Sequence, residues 1–574
     1  MPNRSGPVTV GDLLAEFPAQ LHLLAGGPAD ATATALSGVT HDSRRVAPGD
    51  LYAALPGDRV HGARFAVDAV AAGAVAVLTD PSGAEACPAG GVEVPVLVHP
   101  RPRDVLGPLA SAVHRHPSHT LDVVGVTGTN GKTTVTWLMH HMLRSRGIGA
   151  GLVGTVAVRV HDDEVASVMT TPEATDLQAT LARMRDAGVS AVALEVSSHA
   201  LALQRADGTR MAVVCFTNLS RDHLDFHGDM ESYLAAKTRL FTGGFAARAV
   251  VCVDDHAGRG VAAAARAAGL DVWTVATAAT AGADRSGPPA DVVLLSADTG
   301  VDGRQRVRLR GPFTAGDHDE LAFDVPMPGR HNAVNAVLAL ALVVRLAEGS
   351  PGSRPRDVAA EAAASLSAFA GVPGRMERIV DPASTGRTPL VVVDYAHTPE
   401  AVATALESLR AATPGRLVVV LGAGGDRDPG KRGPMGAAAA AAADVVVVTD
   451  DNPRGEDPAA VRAAVLAGAV SVPGRRAGDV VEVADRAGAI ARGLAACEGP
   501  RDTLLVTGKG HETGQDYGGG RREPFDDRDA AARALQAWAR EAGVADGEVA
   551  PVGAAPAGAD PGPAAGASVA TGGR

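Results

Sequence analysis

The chain has 574 residues, enough for about three or four domains with sizeable cores of their own. Its net charge of −12 comes from 53 basic and 65 acidic residues, with no basic stripe interleaved with aromatics, which argues against nucleic acid as a partner. The four cysteines are scattered without a Cys-x-x-Cys pair, the N-terminus lacks a signal sequence, and the longest apolar stretch (437–448) is broken by Asp444, so a soluble cytoplasmic protein with no stable membrane association is expected.

In chain order, residues 1–118 mix short strands and helices and close on a polar stretch rich in histidine. Two short polar loops stand out there, His41-Asp42-Ser43-Arg44 and Gly57-Asp58-Arg59-Val60-His61-Gly62; loops of this kind occur anywhere and carry no assignment alone. An apolar run at 121–124 then enters Gly125-Val126-Thr127-Gly128-Thr129-Asn130-Gly131-Lys132-Thr133-Thr134. A strand running into a glycine-rich turn that ends in Lys-Thr suits a phosphate chain, because successive backbone N–H groups and a helix N-terminus point at the anion. Lys132 would reach the terminal phosphates and the Thr133 hydroxyl would ligate Mg²⁺. A helix follows, with Val135, Leu138, Met139, Met142 and Leu143 on one face. Val126 stands where the common G-x-x-x-x-G-K-[ST] pattern has its first glycine, Gly125 being one residue early.

Buried-looking strands at 189–196, 211–217 and 249–253 alternate with helices, so 119–370 reads as a phosphate-loop ATPase-like α/β unit with a mostly parallel sheet. The Ala/Gly/Pro-rich stretch 277–290 reads as a surface loop. Glu195, at a strand end beside the phosphate loop, is placed to hold Mg²⁺, although a solvated acid would look the same. The segment Ser220-Arg221-Asp222-His223-Leu224-Asp225-Phe226-His227-Gly228 concentrates more charge and imidazole than packing requires. Lys237, on a largely apolar helical face, reads by itself as a snorkelling surface residue. In 371–541, strands at 390–393, 417–421, 445–449 and 504–507 each end in a polar, glycine-bearing loop, a Rossmann-like unit whose ligands sit beyond the strand ends. Two of those loops are Asp451-Asn452-Pro453-Arg454, which could be a mere turn, and Gly508-Lys509-Gly510-His511-Glu512. Residues 542–574 hold almost no large apolar side chains and are expected to be a disordered tail without assigned function.

These motifs resemble the Mur ligases. Gly-Thr-Asn-Gly-Lys-Thr-Thr at 128–134, Glu-Val-Ser-Ser-His at 195–199, the cluster from Asn218 to His227 and Tyr233-x-x-x-Lys237 stand in that family's order and spacing. So do His331-Asn332-x-x-Asn335, Gly374-Arg375-Met376-Glu377 and Asp394-Tyr395-Ala396-His397, so that everything but the tail is covered. The resemblance implies three α/β domains: a small UDP-sugar-binding domain at 1–118, a central ATP-binding domain at 119–370 and an amino-acid-binding domain at 371–541.

It also implies site residues. Gly128, Thr129, Asn130, Gly131, Lys132, Thr133 and Thr134 would cradle ATP, with Asn335, Arg375 and Asp394 as further nucleotide contacts. Thr133, Glu195 and His223 would contact Mg²⁺, and Lys237, carbamylated by CO₂, would help bind a second Mg²⁺. A lysine must be neutral to react with CO₂, and burial lowers its pKa. His41, Ser43, Asp58, Arg59 and Val60 would meet the UDP end of a UDP-N-acetylmuramoyl-dipeptide, and Thr170, Thr171, Ser197 and Arg205 its peptide. Met169 stands where many relatives have a polar residue before the threonine pair.

Within the family, Asp451-Asn452-Pro453-Arg454 is similar to the signature of the tripeptide synthetases that add diaminopimelate. Arg454 and Arg427 would bind carboxylate in two-pronged pairs, Asp451, Asn452, Pro453 and Gly508 would complete the pocket, and Glu512 would hold the distal ammonium. The implied reaction is ATP-driven amide formation through an acyl phosphate, by a monomer acting on small molecules in peptidoglycan precursor synthesis. Lys132, Glu195, His223 and Lys237 would be its catalytic set. The alternatives are a folylpolyglutamate synthase-like ligase, which lacks the UDP segments and the tetrapeptide, and a nucleotide-binding scaffold without turnover.

Overall fold

The computed structural model describes residues 6–24, 28–57, 59–89, 91–167, 169–279, 290–300, 303–314, 319–348, 352–381 and 386–544. Asp58, most of the stretch expected as a surface loop and the tail from 545 onward lie outside the described residues.

The first unit is built on a five-stranded sheet, in the order His22–Leu23, Val96–Val98, Ala76–Thr79, Asp50–Ala53, Gly38–Thr40. Only the edge pair of His22–Leu23 with Val96–Val98 is antiparallel. Helix Pro102–Val113 and the turn Pro117–His119 lead into the next sheet.

That central sheet has eleven strands. The strand Asp122–Thr127 lies inside it, flanked on its two sides by Ala191–Glu195 and Val213–Phe216, both parallel to it. Parallel neighbours end on the same side, so the phosphate loop, Glu195 and the Thr217–Asn218 turn emerge together. The strands are Val- and Ala-rich without alternation because helices cover both faces. Antiparallel pieces border the sheet: Ala157–Val160 and Asp163–Ala166 on one side, Gln305–Arg310 and Leu321–Val325 on the other. None of these was singled out from the sequence: Asp163–Ala166 is exposed throughout and carries charge as a loop does, whereas Gln305–Arg310 alternates buried and exposed residues over only six positions.

Two helices, Lys132–Ser145 and Arg330–Ala347, pack against one face and share its core. Arg330–Ala347 is long and apolar enough to cross a membrane, but 72% of it is buried inside the protein. It is a core helix. The third unit has a six-stranded sheet ordered Glu377–Ile379, Leu390–Asp394, Thr503–Thr507, Leu417–Leu421, Val445–Val448, Asp479–Glu482, parallel except for the first strand. The fully buried Arg486 pairs with buried Asp527 at 2.7 Å and donates to the carbonyls of Asp450 and Thr507 at 3.1 and 2.8 Å. It therefore ties together the ends of the two strands that carry the third unit's signature loops.

All four cysteines are free and buried, and burial pushes the Cys252 and Cys497 thiols up to about 12. His140 is also buried, and its imidazole is pushed down to about 4 by burial, with Arg159 and Arg144 adding repulsion. Because the unfolded imidazole takes up a proton from about pH 6.5 downward while the folded one resists until about 4, His140 should cost about 3 kcal/mol of stability across that window. His140→Gln should therefore show a shallower fall in Tm between neutral pH and pH 4 than the wild-type chain. Equal slopes would refute this.

Candidate active site

The strand that opens the site continues further than its composition suggests. Val126 and Thr127 remain in it, so the loop proper spans only 128–131. Gly125 is thus a strand residue, and a Cβ there would collide with the Met211 sulfur. The glycine that stood one place early in the motif serves packing. Gly131 caps helix Lys132–Ser145 with φ +88°, and a Cβ there would press on the Asn335 carboxamide. Gly131→Ala should therefore weaken ATP binding by about tenfold or more while leaving Tm within a few degrees, as read by nucleotide titration; unchanged affinity would contradict it.

The Lys132 ammonium lies 3.1 and 2.9 Å from the carbonyls of Gly128 and Thr129 and so stands over the loop. Burial lowers its pKa, while Glu195 and Asp222 act to hold it up. The Thr133 hydroxyl donates to Glu195 Oε2 at 2.9 Å. Glu195 is fully buried, and its Oε1 and Oε2 also accept from Thr155 N–H at 2.8 Å and Thr155 Oγ1 at 3.0 Å. Thr155 carries no motif and follows a short strand, so nothing in the sequence marked it.

Lys237 is 1% exposed, not at the surface as its local pattern suggested. Its Nζ donates to Gly128 O at 2.7 Å and lies 4.4 Å from the centre of the Tyr233 ring. It forms no ion pair among the described residues. Burial, reinforced by the Lys132 charge, drives its pKa well below the ordinary lysine value. One carbonyl, that of Gly128, thus accepts from both lysines. Two ammonium groups converging on one buried carbonyl favour a neutral amine on the more buried partner. His223, in a left-handed conformation at the start of a short helix, packs its ring 4.7 Å from His199 and 6.3 Å from Tyr233. Burial lowers its pKa, and both lysines push in the same direction.

Among the described residues no group of three or more His, Cys, Asp or Glu side chains stands in position to hold a metal by itself. The donors present suit one nonetheless: a buried hydroxyl–carboxylate pair, Thr133 with Glu195, together with the His223 imidazole and the Lys237 amine, whose pKa burial lowers. That set becomes acidic enough for hard cations once phosphate oxygens and a carbamate are added.

A cavity of about 600 Å³ opens between the central and third units, lined by Asn130, Gly131, Asn335, Arg375, Asp394 and His397 among others. Arg375 stacks 4.5 Å over the Tyr395 ring, which in turn meets His397 and His511 at 4.7 and 5.2 Å. Asp394 is held up by burial, and its two oxygens accept from the Met376 and Ala396 N–H groups at 2.7 and 2.8 Å. It shapes the cavity wall as much as it lines it. Tyr395 belongs to a motif legible in the sequence, yet its platform role comes from the fold.

In the third unit, three loops far apart in sequence meet. A Cβ on Gly424 would sit 2.8 Å from Arg454 Nη1 and 3.8 Å from the Arg427 side chain, so the two guanidinium-bearing residues flank one glycine. Arg454 donates to Gly425 O at 2.7 Å, Asp451 crowds Gly508, and Asn452 Nδ2 donates to Glu512 Oε2 at 2.8 Å. Asp-Asn-Pro-Arg is therefore tied by its side chains to the Gly424–Gly425 and Gly508–Glu512 loops. Pro453 holds the bend between the asparagine and the arginine, and Arg454 itself has φ +51°.

The first unit meets the central one where His41 Nδ1 lies 3.3 Å from Thr175 Oγ1 and Arg45 pairs with Asp176 at 2.9 Å. Ser43 opens a short helical turn, while Arg59 and Val60 are exposed. On the central unit's side the Thr170 hydroxyl donates to Thr155 Oγ1 at 3.0 Å, and Ser197 N–H donates to Thr171 Oγ1 at 3.0 Å. Thr171 is buried behind this row, donating to the Glu195 carbonyl at 2.8 Å. Arg205 pairs with Glu173 at 2.8 Å, with the Met169 sulfur at 3.7 Å.

Residues 35–114 match the Mur ligase family catalytic domain, 126–343 the Mur ligase middle domain and 374–510 the Mur ligase glutamate ligase domain. The chain is 45% identical over 501 residues to a Streptomyces avermitilis protein named UDP-N-acetylmuramoyl-L-alanyl-D-glutamate--2,6-diaminopimelate ligase, covering 87% of this chain and 92% of that one. It is 42% identical to a UDP-N-acetylmuramyl-tripeptide synthetase of Leifsonia xyli, over 88% and 92% of the two chains. A solved structure of a UDP-N-acetylmuramoyl-L-alanyl-D-glutamate--2,6-diaminopimelate ligase superposes with a TM-score of 0.64 at 29% identity, covering 93% of this chain and 99% of that one.

Proposed function

This chain belongs to the Mur ligase family, and from that premise we infer an ATP-dependent, ADP-forming ligase that joins diaminopimelate to the D-glutamate of UDP-N-acetylmuramoyl-L-alanyl-D-glutamate in peptidoglycan precursor synthesis. The observation that carries the reading is identity at 45% to a relative of that name over 87% of the chain and 92% of the relative. A folylpolyglutamate synthase-like activity would leave the first unit and the tetrapeptide loop without a task.

The glutamyl carboxylate attacks the γ-phosphorus of ATP in line, ADP leaves, and an acyl phosphate forms. The amine of diaminopimelate then attacks the acyl carbon, the C–O bond to phosphate breaks, and phosphate and a proton are released. Lys132 offsets charge on the transferring group from above the loop. Thr133 and Glu195 would hold one Mg²⁺, and His223 with carbamylated Lys237 a second; the ions, when bound, neutralise charge on the phosphoryl oxygens. Asn335, Arg375 and Asp394 would seat the nucleotide in the cavity between the units. His41, Ser43 and 58–60 would take the UDP end, and Thr170, Thr171, Ser197 and Arg205 the dipeptide. Arg427, Arg454, Asn452 and Glu512 would orient diaminopimelate so that its amine faces the acyl phosphate. The third unit would cover this reactive intermediate, since water would otherwise hydrolyse it. We place the enzyme in the cytoplasm as a monomer; its four free, buried thiols suit a reducing compartment.

Phosphate release measured with ATP and the muramoyl-dipeptide should depend on added diaminopimelate. Nucleotide binding without such release would support a scaffold instead, and glutamate-dependent release on a folate substrate would support the folylpolyglutamate alternative.

A further inference from the structure

Lys509 sits beneath the loops that carry Asn452 and Glu512, with its side chain fully buried. Its ammonium has three N–H donors, and three acceptors surround it: Gly514 O at 2.6 Å, Asn452 Oδ1 at 3.1 Å and Glu512 Oε2 at 3.1 Å. No donor remains for a substrate. The residue therefore acts through its neighbours.

The consequence for Asn452 is directional. Its carboxamide oxygen meets the Lys509 ammonium and, at 2.9 Å, the Asp516 N–H, both of which can only donate. The atom between them must be oxygen, which turns the Nδ2 group toward Glu512 Oε2. Glu512 then receives two donors on Oε2, while among the described residues no donor falls on Oε1. The same backbone segment, Gly514–Asp516, also accepts the Arg454 N–H at the Asp516 carbonyl, 2.9 Å away. One buried cation thus sets the carboxamide, the carboxylate and the strand against which Arg454 is hung.

We propose that Lys509 is a positioning residue for amino-acid specificity: by occupying Oε2 of Glu512 and orienting Asn452, it leaves Oε1 to receive the ammonium of the incoming diamino acid while Arg454 takes its carboxylate. This rests on the diaminopimelate-ligase reading above. It also implies that Glu512 alone does not make the subsite, because without Lys509 its carboxylate keeps a single donor, the Asn452 amide, and gains freedom to rotate.

The experiment is steady-state kinetics of the full-length enzyme and of Lys509→Met, varying diaminopimelate, ATP and the muramoyl-dipeptide in turn, with Lys509→Gln substituted should the methionine variant fail to fold. The KM for diaminopimelate should rise by about tenfold or more while those for ATP and the muramoyl-dipeptide stay within about threefold, and the preference for diaminopimelate over lysine should narrow. A purely structural role would move all three KM values together, and that result, or an unchanged KM for diaminopimelate in a folded variant, would overturn the proposal. A wild-type enzyme without diaminopimelate-dependent phosphate release would instead overturn the parent reading, and the inference with it.

Discussion

Replacing Lys132 with methionine is expected to lower kcat/KM for ATP by about a thousandfold, some 4 kcal/mol of transition-state stabilisation, with little change in Tm. The physical ground is its position. Its ammonium stands 2.9 to 3.1 Å from two loop carbonyls, where the backbone of 128–131 turns around the phosphate site. Charge developing on a transferring phosphoryl group would therefore meet a cation held in place by two loop carbonyls. Methionine keeps the length and loses the charge. ADP formation under saturating dipeptide and diaminopimelate is the measurement; a loss below tenfold in a folded variant would mean that the lysine is a structural anchor of the loop.

Lys237→Met should be nearly as damaging, by about a hundredfold or more in kcat, for a different reason. Lys237 is buried beside a second lysine and pairs with no carboxylate among the described residues, so burial and the Lys132 charge outweigh the pull of Asp222 and its amine loses its proton more readily than an exposed lysine. A neutral amine can add to CO₂, forming an N–C bond and releasing a proton, and the resulting carbamate is an anion where a cation would repel Mg²⁺. The sign of the pH effect follows. The folded pKa lies below the unfolded one, so the unfolded chain binds more protons through that window. For the unmodified amine, stability rises with pH toward the ordinary lysine range. The methionine variant should lack this rise. Carbon-13 NMR in labelled bicarbonate should show a carbamate carbonyl in the wild-type protein that vanishes in Lys237→Met. Activity should also fall on exhaustive removal of CO₂ and return with bicarbonate. A wild-type enzyme indifferent to CO₂, with no such signal, would remove the carbamate from the mechanism.

Much of this site was open to inspection in the chain because its chemistry is local. A phosphate loop is a short backbone shape, and its glycines, Lys132 and Thr133 must be contiguous for successive N–H groups to converge. The strands at Leu417–Leu421 and Val445–Val448 were equally visible, since a parallel sheet covered on both faces demands unbroken apolar runs. Of the antiparallel margins of the central sheet, Asp163–Ala166 was not visible because it is short and exposed throughout, whereas Gln305–Arg310 carries a strand's alternation over only six residues. Gly125 misled in the same way: its role is to admit the Met211 side chain, a partner 86 residues away, and no spacing rule reports that.

The sequence by itself determined the fuel and the family: contiguous motifs for phosphate binding, in an order shared with known ligases. Only the tertiary structure decided which charges act together. It converted Lys237 from an apparent surface residue into a buried amine facing the Gly128 carbonyl, and brought Thr155 onto Glu195. It set Lys509 beneath Asn452 and Glu512, a residue the motif contains but does not explain. The reason is physical. Hydrogen-bond reach ends near 3.5 Å, so a strand and a loop bring their own residues into register, whereas a pKa or a carboxamide orientation depends on every group folded against it.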